Sequence, residues 1–448
     1  MSKYIPINLP YDALSIMKFD EEKMAYLKMK IDEAFKNGSL KTNQPIEFDP
    51  TNLDNLAYWV AKTMMPVEKP EIGTGIEAWF KPYKKSKFGF DIDDLQIDRT
   101  VSFSAVGDLM AAKGLELSKE KLYEGVSDLI FNADIIHGNL ESTLTKNVIE
   151  EVAFNQDETP KINMSNIQYE TVLSHNHRKF DVMTLANNHI LDCGEEGIKT
   201  TLERLDSDKI FAVGVNRNQH EQHKPQITEL AGVKIGWVAH TWSVNFKPFP
   251  KDKPWIVNMT PFHQIKDLDI SHILDQIKAC RDKGCDLVVA SMHWGVEHEL
   301  YPRAEQLKWA RQMVESGVDA IIGHHPHVPQ CYEMLNPEYD RHKYVPVIYS
   351  LGNLTPVVSH PAMVLSLVLQ MDIVQGVKNG KKITRISNVN INPVVIVQEE
   401  NGVLRLEKLS KLIEMKKNDN MTEYIDKVAY YADTVMGIDW REGSMKNE

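Results

Sequence analysis

Cysteine is scarce in this chain. Cys193, Cys280, Cys285 and Cys331 are the four thiols in 448 residues, and none forms a C-x-x-C pair. Neither a disulfide framework nor a cysteine-bound zinc ribbon is indicated, and reduced structural thiols in a cytoplasmic protein are the simpler reading. Positive charge is short as well. Lys and Arg total 51 against 63 Asp and Glu, a formal net charge of −12, with no basic cluster in a recognition motif. Nucleic-acid backbones and anionic membrane surfaces both select the opposite balance, so no nucleic-acid partner is expected. No window approaches ~18 uninterrupted apolar residues, so no membrane span is expected either. The stretch from Met1 to Phe19 lacks the apolar core of a signal peptide, which makes cytoplasmic the expected location. Also missing are a G-x-x-x-x-G-K-[ST] phosphate loop, a G-x-G-x-x-G after the first strand, a G-x-S-x-G elbow and an H-E-x-x-H helix. Their absence speaks against an autonomous ATP-dependent ligase.

What the chain does have is histidine in a telling place. Gly323 to His327 reads GHHPH, directly after the mostly apolar run Asp319-Ala320-Ile321-Ile322. Imidazole is the commonest side-chain metal ligand and titrates nearest neutral pH, so three in four residues point to a metal or to proton transfer. A polar loop with solvated histidines is the bland alternative for one such cluster. Five further polar boxes close predicted strands in the same way: Gly107-Asp108, Gly138-Asn139-Leu140-Glu141, Asn187-Asn188-His189, His293-Trp294-Gly295 with Glu297 and His298, and Gly352-Asn353. Each strand is a short apolar, β-branched run, as in a sheet covered on both faces. Ligands gather outside the carboxyl ends of strands in α/β sheets. The donors there are nitrogen and oxygen without thiolate, which suits Zn, Mn or Fe.

In their order, GDLM, GNLE, LANNHILDCG, HWGVEHELYP, GHHPHVPQ and YSLGN resemble the CapA family of bacterial capsule and poly-γ-glutamate synthesis proteins, itself similar to calcineurin-like metallophosphoesterases. The likeness spans roughly residues 99 to 375. It implies an α/β metallophosphoesterase-like sandwich of two mixed β-sheets flanked by helices. It also implies a divalent-metal cofactor (Mn, Zn or Fe, one or two ions) held by Asp108, Glu141, Asn188, His293, His325 and His327. His189, Asp108, His327 and Glu297 are the candidate catalytic residues. Asn139, Asn187, Trp294, His324 and Asn353 are the candidate substrate contacts. The chain departs from the phosphoesterase pattern at Met110, where Asp-x-His would place an imidazole; a thioether is no substitute ligand for a borderline ion. Cys193 and His298 replace residues usual in the family and read as changes in pocket lining.

The resemblance implies metal-assisted hydrolysis of a phosphate ester or related bond on a small-molecule or peptide substrate, or a role in capsule or poly-γ-glutamate biosynthesis. With Met110 in place of a ligand, metal-free acid/base chemistry, such as epimerisation of a peptide Cα, uses the same residues. A non-catalytic binding module is the remaining alternative. Around this domain, residues 1–98 read as an N-terminal helical extension packed on it, with one amphipathic helix from Asp20 to Gly38 and another over Leu53–Met64. Aromatic residues from Trp79 to Phe90 read as packing that extension down. Residues 376–448 read as strands and a helix completing the fold. Within the last part of the chain, Met363–Val374 and Ile383–Val397, joined by Lys378-Asn379-Gly380, are expected to finish the second sheet. Met421–Val435 reads as a terminal helix before a polar tail. Lys247–Pro254 reads as an exposed loop, either lid or insertion, with Thr241 and Trp242 at the preceding strand exit.

Overall fold

The apolar runs become strands in an order that leaves one sheet, builds another and returns. The computed structural model describes residues 4–42, 52–92, 94–146, 148, 154–155, 160–263, 267–415 and 420–441. The first sheet begins with β1 (Lys87–Gly89), β2 (Gln96–Leu109), β3 (Ile135–Leu140), β4 (Val182–Thr184) and β5 (Phe211–Val213). The second holds β6 (Gln226–Leu230), β7 (Val233–Thr241), β8 (Leu287–His293), β9 (Ala320–His324), β10 (Tyr332–Leu335) and β11 (Val345–Ile348). The chain then returns to the first with β12 (Asn353–Thr355), β13 (Leu365–Lys378), β14 (Lys381–Gln398) and β15 (Leu404–Lys408). Strand order is β5-β4-β3-β2-β13-β14-β1 in the first sheet, with β12 beside β2 and β15 beside β14, and β6-β7-β8-β9-β11-β10 in the second. Both sheets are mixed. β2 to β5 run parallel, as do β7, β8, β9 and β11, while β13, β14, β6 and β10 are antiparallel to their neighbours.

The parallel strands are buried on both faces, which is why they read as unbroken apolar runs. The two sheets meet through Phe103 stacked on Trp237 and through the Thr184 hydroxyl, which donates to Ser291 at 2.7 Å. Register then sets the site. Asp108 of β2 lies between Asn139 of β3 and Asn353 of β12, and His293 of β8 lies beside His324 of β9. Two glycines allow the tight approach. A Cβ on Gly107 would sit 1.9 Å from the Gly352 carbonyl oxygen, and one on Gly323 would sit 1.9 Å from that of Tyr349.

Helices α1 (Glu21–Asn37) and α2 (Leu53–Met64) lie in the first block. The Asp20 carboxylate caps α1 by accepting from the Lys23 amide, and Gly38 ends it at φ 77°. Their apolar faces form a small core of their own around Leu27, Ile31, Leu56 and Val60. The block is tied to the rest by Val67, whose amide donates to the His298 carbonyl and whose carbonyl accepts from Leu300. Lys62 reaches Glu299 at 3.2 Å. Phe80 packs against Tyr301 and Tyr349, and Phe90 stacks on Tyr344 at 4.3 Å. β1, unexpected from its two-lysine neighbourhood, adds an edge strand to the first sheet. The other principal helices are α3 (Gly194–Asp208), α4 (Ser271–Asp282), α5 (Ala304–Glu315) and α6 (Asn420–Met436). Those of α3, α4 and α5 bury their apolar stripes in the main core.

One strand placement corrects the sequence reading. The β13–β14 hairpin turns at Asn379 and Gly380 as expected, both at positive φ, but it belongs to the first sheet. β2 is 14 residues long, and β13, also 14 residues long, pairs antiparallel along its edge away from β3. Edge capacity, which no local pattern reports, decided the partner. The polar tail expected after Arg441 lies outside the described residues.

Candidate active site

Asp108, Glu141, Asn188, His293, His325 and His327 converge at the ends of β2, β3, β4, β8 and β9. Asp108 is fully buried and held from several sides. The Asn139 amide donates to Oδ1 at 2.8 Å, His324 Nδ1 donates to the same oxygen at 3.0 Å, and the His325 backbone N–H donates to Oδ2 at 3.1 Å. Burial alone raises a carboxyl pKa; here the His324 hydrogen bond and the surrounding imidazoles overcome it and hold Asp108 well below the ordinary range.

Glu141 is the opposite case. It is fully buried, and neither carboxylate oxygen has a hydrogen-bond partner. Burial and the neighbouring Asp108 charge push its pKa well above the usual value. Around it, His293 Nε2 lies 3.4 Å from Oε1 and His327 Nε2 lies 4.0 Å from the same atom. Three overlapping triads have ligand atoms within 4.8 Å of one another: Glu141-His293-His325, Asp108-Glu141-His327 and Glu297-His325-His327. Asn188 Oδ1 approaches His293 Nε2 at 2.7 Å, which adds an amide oxygen to the rim. Burial, then the nearby His325, lowers His293 well below an ordinary imidazole, and burial takes His325 down to about 3. Both rings are therefore neutral at physiological pH, as ligation requires. His327 differs. Against its burial, Glu297 and Asp108 raise its pKa, and Asn353 Oδ1, 2.8 Å from Nδ1, fixes the tautomer that leaves Nε2 toward Glu141 and Glu297.

This corner is strained. His298, His325 and His327 have φ of 62°, 98° and 58°, a left-handed region that costs side chains other than glycine on the order of 1–3 kcal/mol each. Hydrogen bonds pin the distortion, from His325 N–H to Asp108 and from His298 N–H to the Pro326 carbonyl at 2.8 Å.

His189 sits across the cavity with Nδ1 2.7 Å from Asp192. Asp192 also accepts from the Ile162 amide at 2.6 Å and from Lys247. Ring orientation is thus fixed, with Nε2 left for a ligand. The cavity, about 780 Å³ of open space, is lined by Asn188, His189, Glu297, His298, His327 and Asn353 on its polar side. Met110 lines it as well, presenting a thioether where an imidazole would have been a donor.

Not every predicted residue faces this cavity. Trp294 is fully buried, stacked on Tyr349, with its indole N–H donating to the Tyr349 carbonyl at 3.1 Å. His324, Asn139 and Asn187 lie behind the ligand groups: His324 and Asn139 hold Asp108, and the Asn187 amide donates to the Leu140 carbonyl at 2.9 Å. None of the four lines the cavity, a correction to their reading as substrate contacts: the side chains of Asn139, Asn187 and His324 are taken up by hydrogen bonds behind the ligand groups, and Trp294 is packed in the core. Cys193 caps α3 and does not line the cavity, and the Thr241 hydroxyl is occupied by the Ser243 carbonyl. Trp242 and His298 do line it. The sequence reading missed Asn245, whose amide lies 3.4 Å from His189 Nδ1, and above all Trp59 of α2, whose indole N–H donates to Glu297.

Two mixed sheets with an imidazole–carboxylate cluster at their strand ends make this an α/β sandwich protein with a candidate metal-binding site. The chain belongs to the bacterial capsule synthesis protein PGA_cap family, whose model matches residues 102–356. It is 30% identical over 262 residues to the capsule biosynthesis protein CapA of Bacillus anthracis, covering 56% of this chain and 59% of that protein. It is 28% identical over 264 residues to the PGA biosynthesis protein CapA of Bacillus subtilis, covering 57% and 63%. The matches thus span about three fifths of these relatives. The solved structure of the calcineurin-like phosphoesterase YfkN from Bacillus subtilis aligns at 13% identity and a TM-score of 0.36, over 75% of this chain and 98% of that one. Among the described residues, no helix is long and apolar enough to cross a membrane.

Proposed function

We propose that this chain performs metal-assisted hydrolysis of a phosphate ester or related bond on a small or peptide-like substrate. One observation carries the reading: Glu141, buried with two unpartnered oxygens, is ringed by Asp108, His293, His325 and His327. A buried carboxyl without a partner is costly unless it is protonated or ligates a cation, so the donor set fits a divalent ion. Asp108, Glu141, Asn188, His293, His325 and His327 would hold it, and oxygen–imidazole donors suit Mn, Zn or Fe. Such an ion supplies Lewis-acid polarisation of the phosphoryl oxygen and an acidified water.

The chain's own residues do the rest. Asn139 and His324 keep Asp108 oriented, and Asn353 keeps His327 in one tautomer. His189, braced by Asp192, gives the proton from Nε2 to the leaving oxygen. Glu297, whose carboxyl the surrounding imidazoles hold well below its ordinary range against its burial, stays ionised at the opposite rim, where it accepts from Trp59 and orients a water rather than taking its proton. The names of the Bacillus relatives support a place for this reaction in capsule or poly-γ-glutamate biosynthesis.

Metal-independent acid/base chemistry, such as Cα epimerisation, is favoured by a single feature, the thioether of Met110 in the cavity wall. Elemental analysis of the purified chain, with phosphomonoester turnover before and after chelation, separates the two. Bound metal and chelator-sensitive phosphate release are expected. A metal-free, chelator-resistant enzyme that carries solvent deuterium into a substrate carbon would replace hydrolysis with epimerisation.

A further inference from the structure

The cavity beside the cluster has a character that its reactive residues do not explain. Away from His189 and His327 its walls are apolar: Ile16, Ile162, Phe246, Val357, Val358 and Met363, with Trp59 and Trp242 as flat sides. Among the described residues, no lysine or arginine lines it. Of the cations around it, Lys247 pairs with Asp192, and Lys62 and Arg303, on the other side of Trp59, both pair with Glu299. Carboxylates meanwhile crowd the floor and rim, with Asp108, Glu141 and Asp192 buried there and Glu297 in the lining. A polymer carrying one carboxylate per residue needs fixed cations along its path, and this cavity offers none beyond an ion at the cluster.

One polar side chain of the lining is left unpaired, whereas Thr63 and Asn245 are hydrogen-bonded. His298 is 3% exposed, both ring nitrogens lack a hydrogen-bond partner, and its ring lies between Trp59 at 5.9 Å and His327 at 6.0 Å. A neutral imidazole has one donor and one acceptor, so it can pair with an amide or a hydroxyl. A buried polar side chain left unpaired is disfavoured unless a ligand completes it. We infer that the substrate carries, next to the reacting bond, a compact uncharged apolar body with one amide or hydroxyl group that pairs with His298, and that a poly-γ-glutamyl chain is not the occupant. The inference rests on the cluster being the reacting centre and narrows what that centre acts on.

Binding to the full chain, followed by tryptophan fluorescence because Trp59 and Trp242 line the cavity, tests it independently of turnover. The probes are N-acetylphenylalanine amide, ethylbenzene and a γ-glutamyl trimer, each with chelated and with Mn-loaded protein. The amide is expected to bind at least about tenfold more tightly than the trimer in both forms. His298→Phe should weaken the amide about tenfold and leave ethylbenzene unchanged, and His298→Gln should restore part of the loss. Ile16→Asp, at a half-buried wall position, should weaken both apolar probes. Trimer binding as tight as the amide, no amide binding at millimolar concentration, or amide binding indifferent to Ile16→Asp overturns the inference. A metal-free, non-hydrolytic protein that still shows the amide preference would sink the hydrolase reading alone.

Discussion

Replacing Glu141 with Gln keeps the shape of the side chain and removes its charge, so it isolates what that charge does. Without a cation, the folded chain holds Glu141 protonated above the ordinary value of 4.5 at which the unfolded chain releases its proton. Metal-free stability therefore falls as pH rises from that value toward the raised folded pKa, by up to about 1.4 kcal/mol per pH unit from this group. Glutamine has no such slope. Metal-free Glu141→Gln should therefore gain on the wild type as pH rises toward neutrality. Metal reverses the order. At 100 times its dissociation constant, an ion that binds only the folded state adds about 2.7 kcal/mol to the wild type. The variant has lost a charged ligand, and its affinity should fall by more than the ~10–100-fold that follows loss of an outer partner. Urea melts of chelated and Mn-loaded protein between roughly pH 5 and 8, with calorimetric titration of Mn, measure both arms. Parallel pH curves for the metal-free proteins, together with equal gains from Mn, would show that Glu141 is a buried acid with no ligand role.

Three further substitutions probe different parts of the construction. His189→Asn should lower kcat by about 10²–10⁴-fold with bound metal unchanged by elemental analysis, since His189 moves a proton and does not ligate; loss of the metal as well would contradict that division. Trp59→Phe keeps an aromatic wall but frees Glu297 of its indole donor; the acid limb of the pH–rate profile should move to higher pH, with stability lowered by about 1 kcal/mol, and an unmoved profile would leave Trp59 a mere wall. Gly323→Ala forces a Cβ to within 1.9 Å of the Tyr349 carbonyl oxygen, so urea melts should show a loss of about 1–3 kcal/mol; a silent substitution would mean that β9 and β11 approach less closely than described.

The site's chemistry was legible in the sequence because it is local. An apolar, β-branched run that stops at Asp, Asn or His marks the carboxyl end of a covered strand, and β2, β3, β4, β8 and β9 each announce themselves this way. Orientation was not legible. His324 and His325 are adjacent, yet one braces Asp108 from behind while the other, at φ 98°, turns into the ligand group. Likewise Trp294 follows His293 directly and points into the core. The sheet joined by the β13–β14 hairpin depended on which long edge stood free, a property of the assembled sheet. The contact between Trp59 and Glu297 spans 238 residues of sequence and belongs to no motif.

That division bears on how far kinship can be carried. The family match covers residues 102–356 and so includes every proposed ligand together with His189 and Asp192. Part of the cavity wall lies outside it: Ala13, Ile16, Trp59 and Thr63 come from the preceding block, and Val357, Val358 and Met363 from the segment that follows. Those residues add apolar wall to the cavity, and Trp59 reaches back to touch the rim carboxylate. Similarity to capsule proteins therefore bears on the residues of the cluster. It bears less on what the cluster acts on, because part of the cavity wall comes from segments outside the matched residues. A relative with the same six strand-end boxes and a different first block should keep the metal and change the substrate.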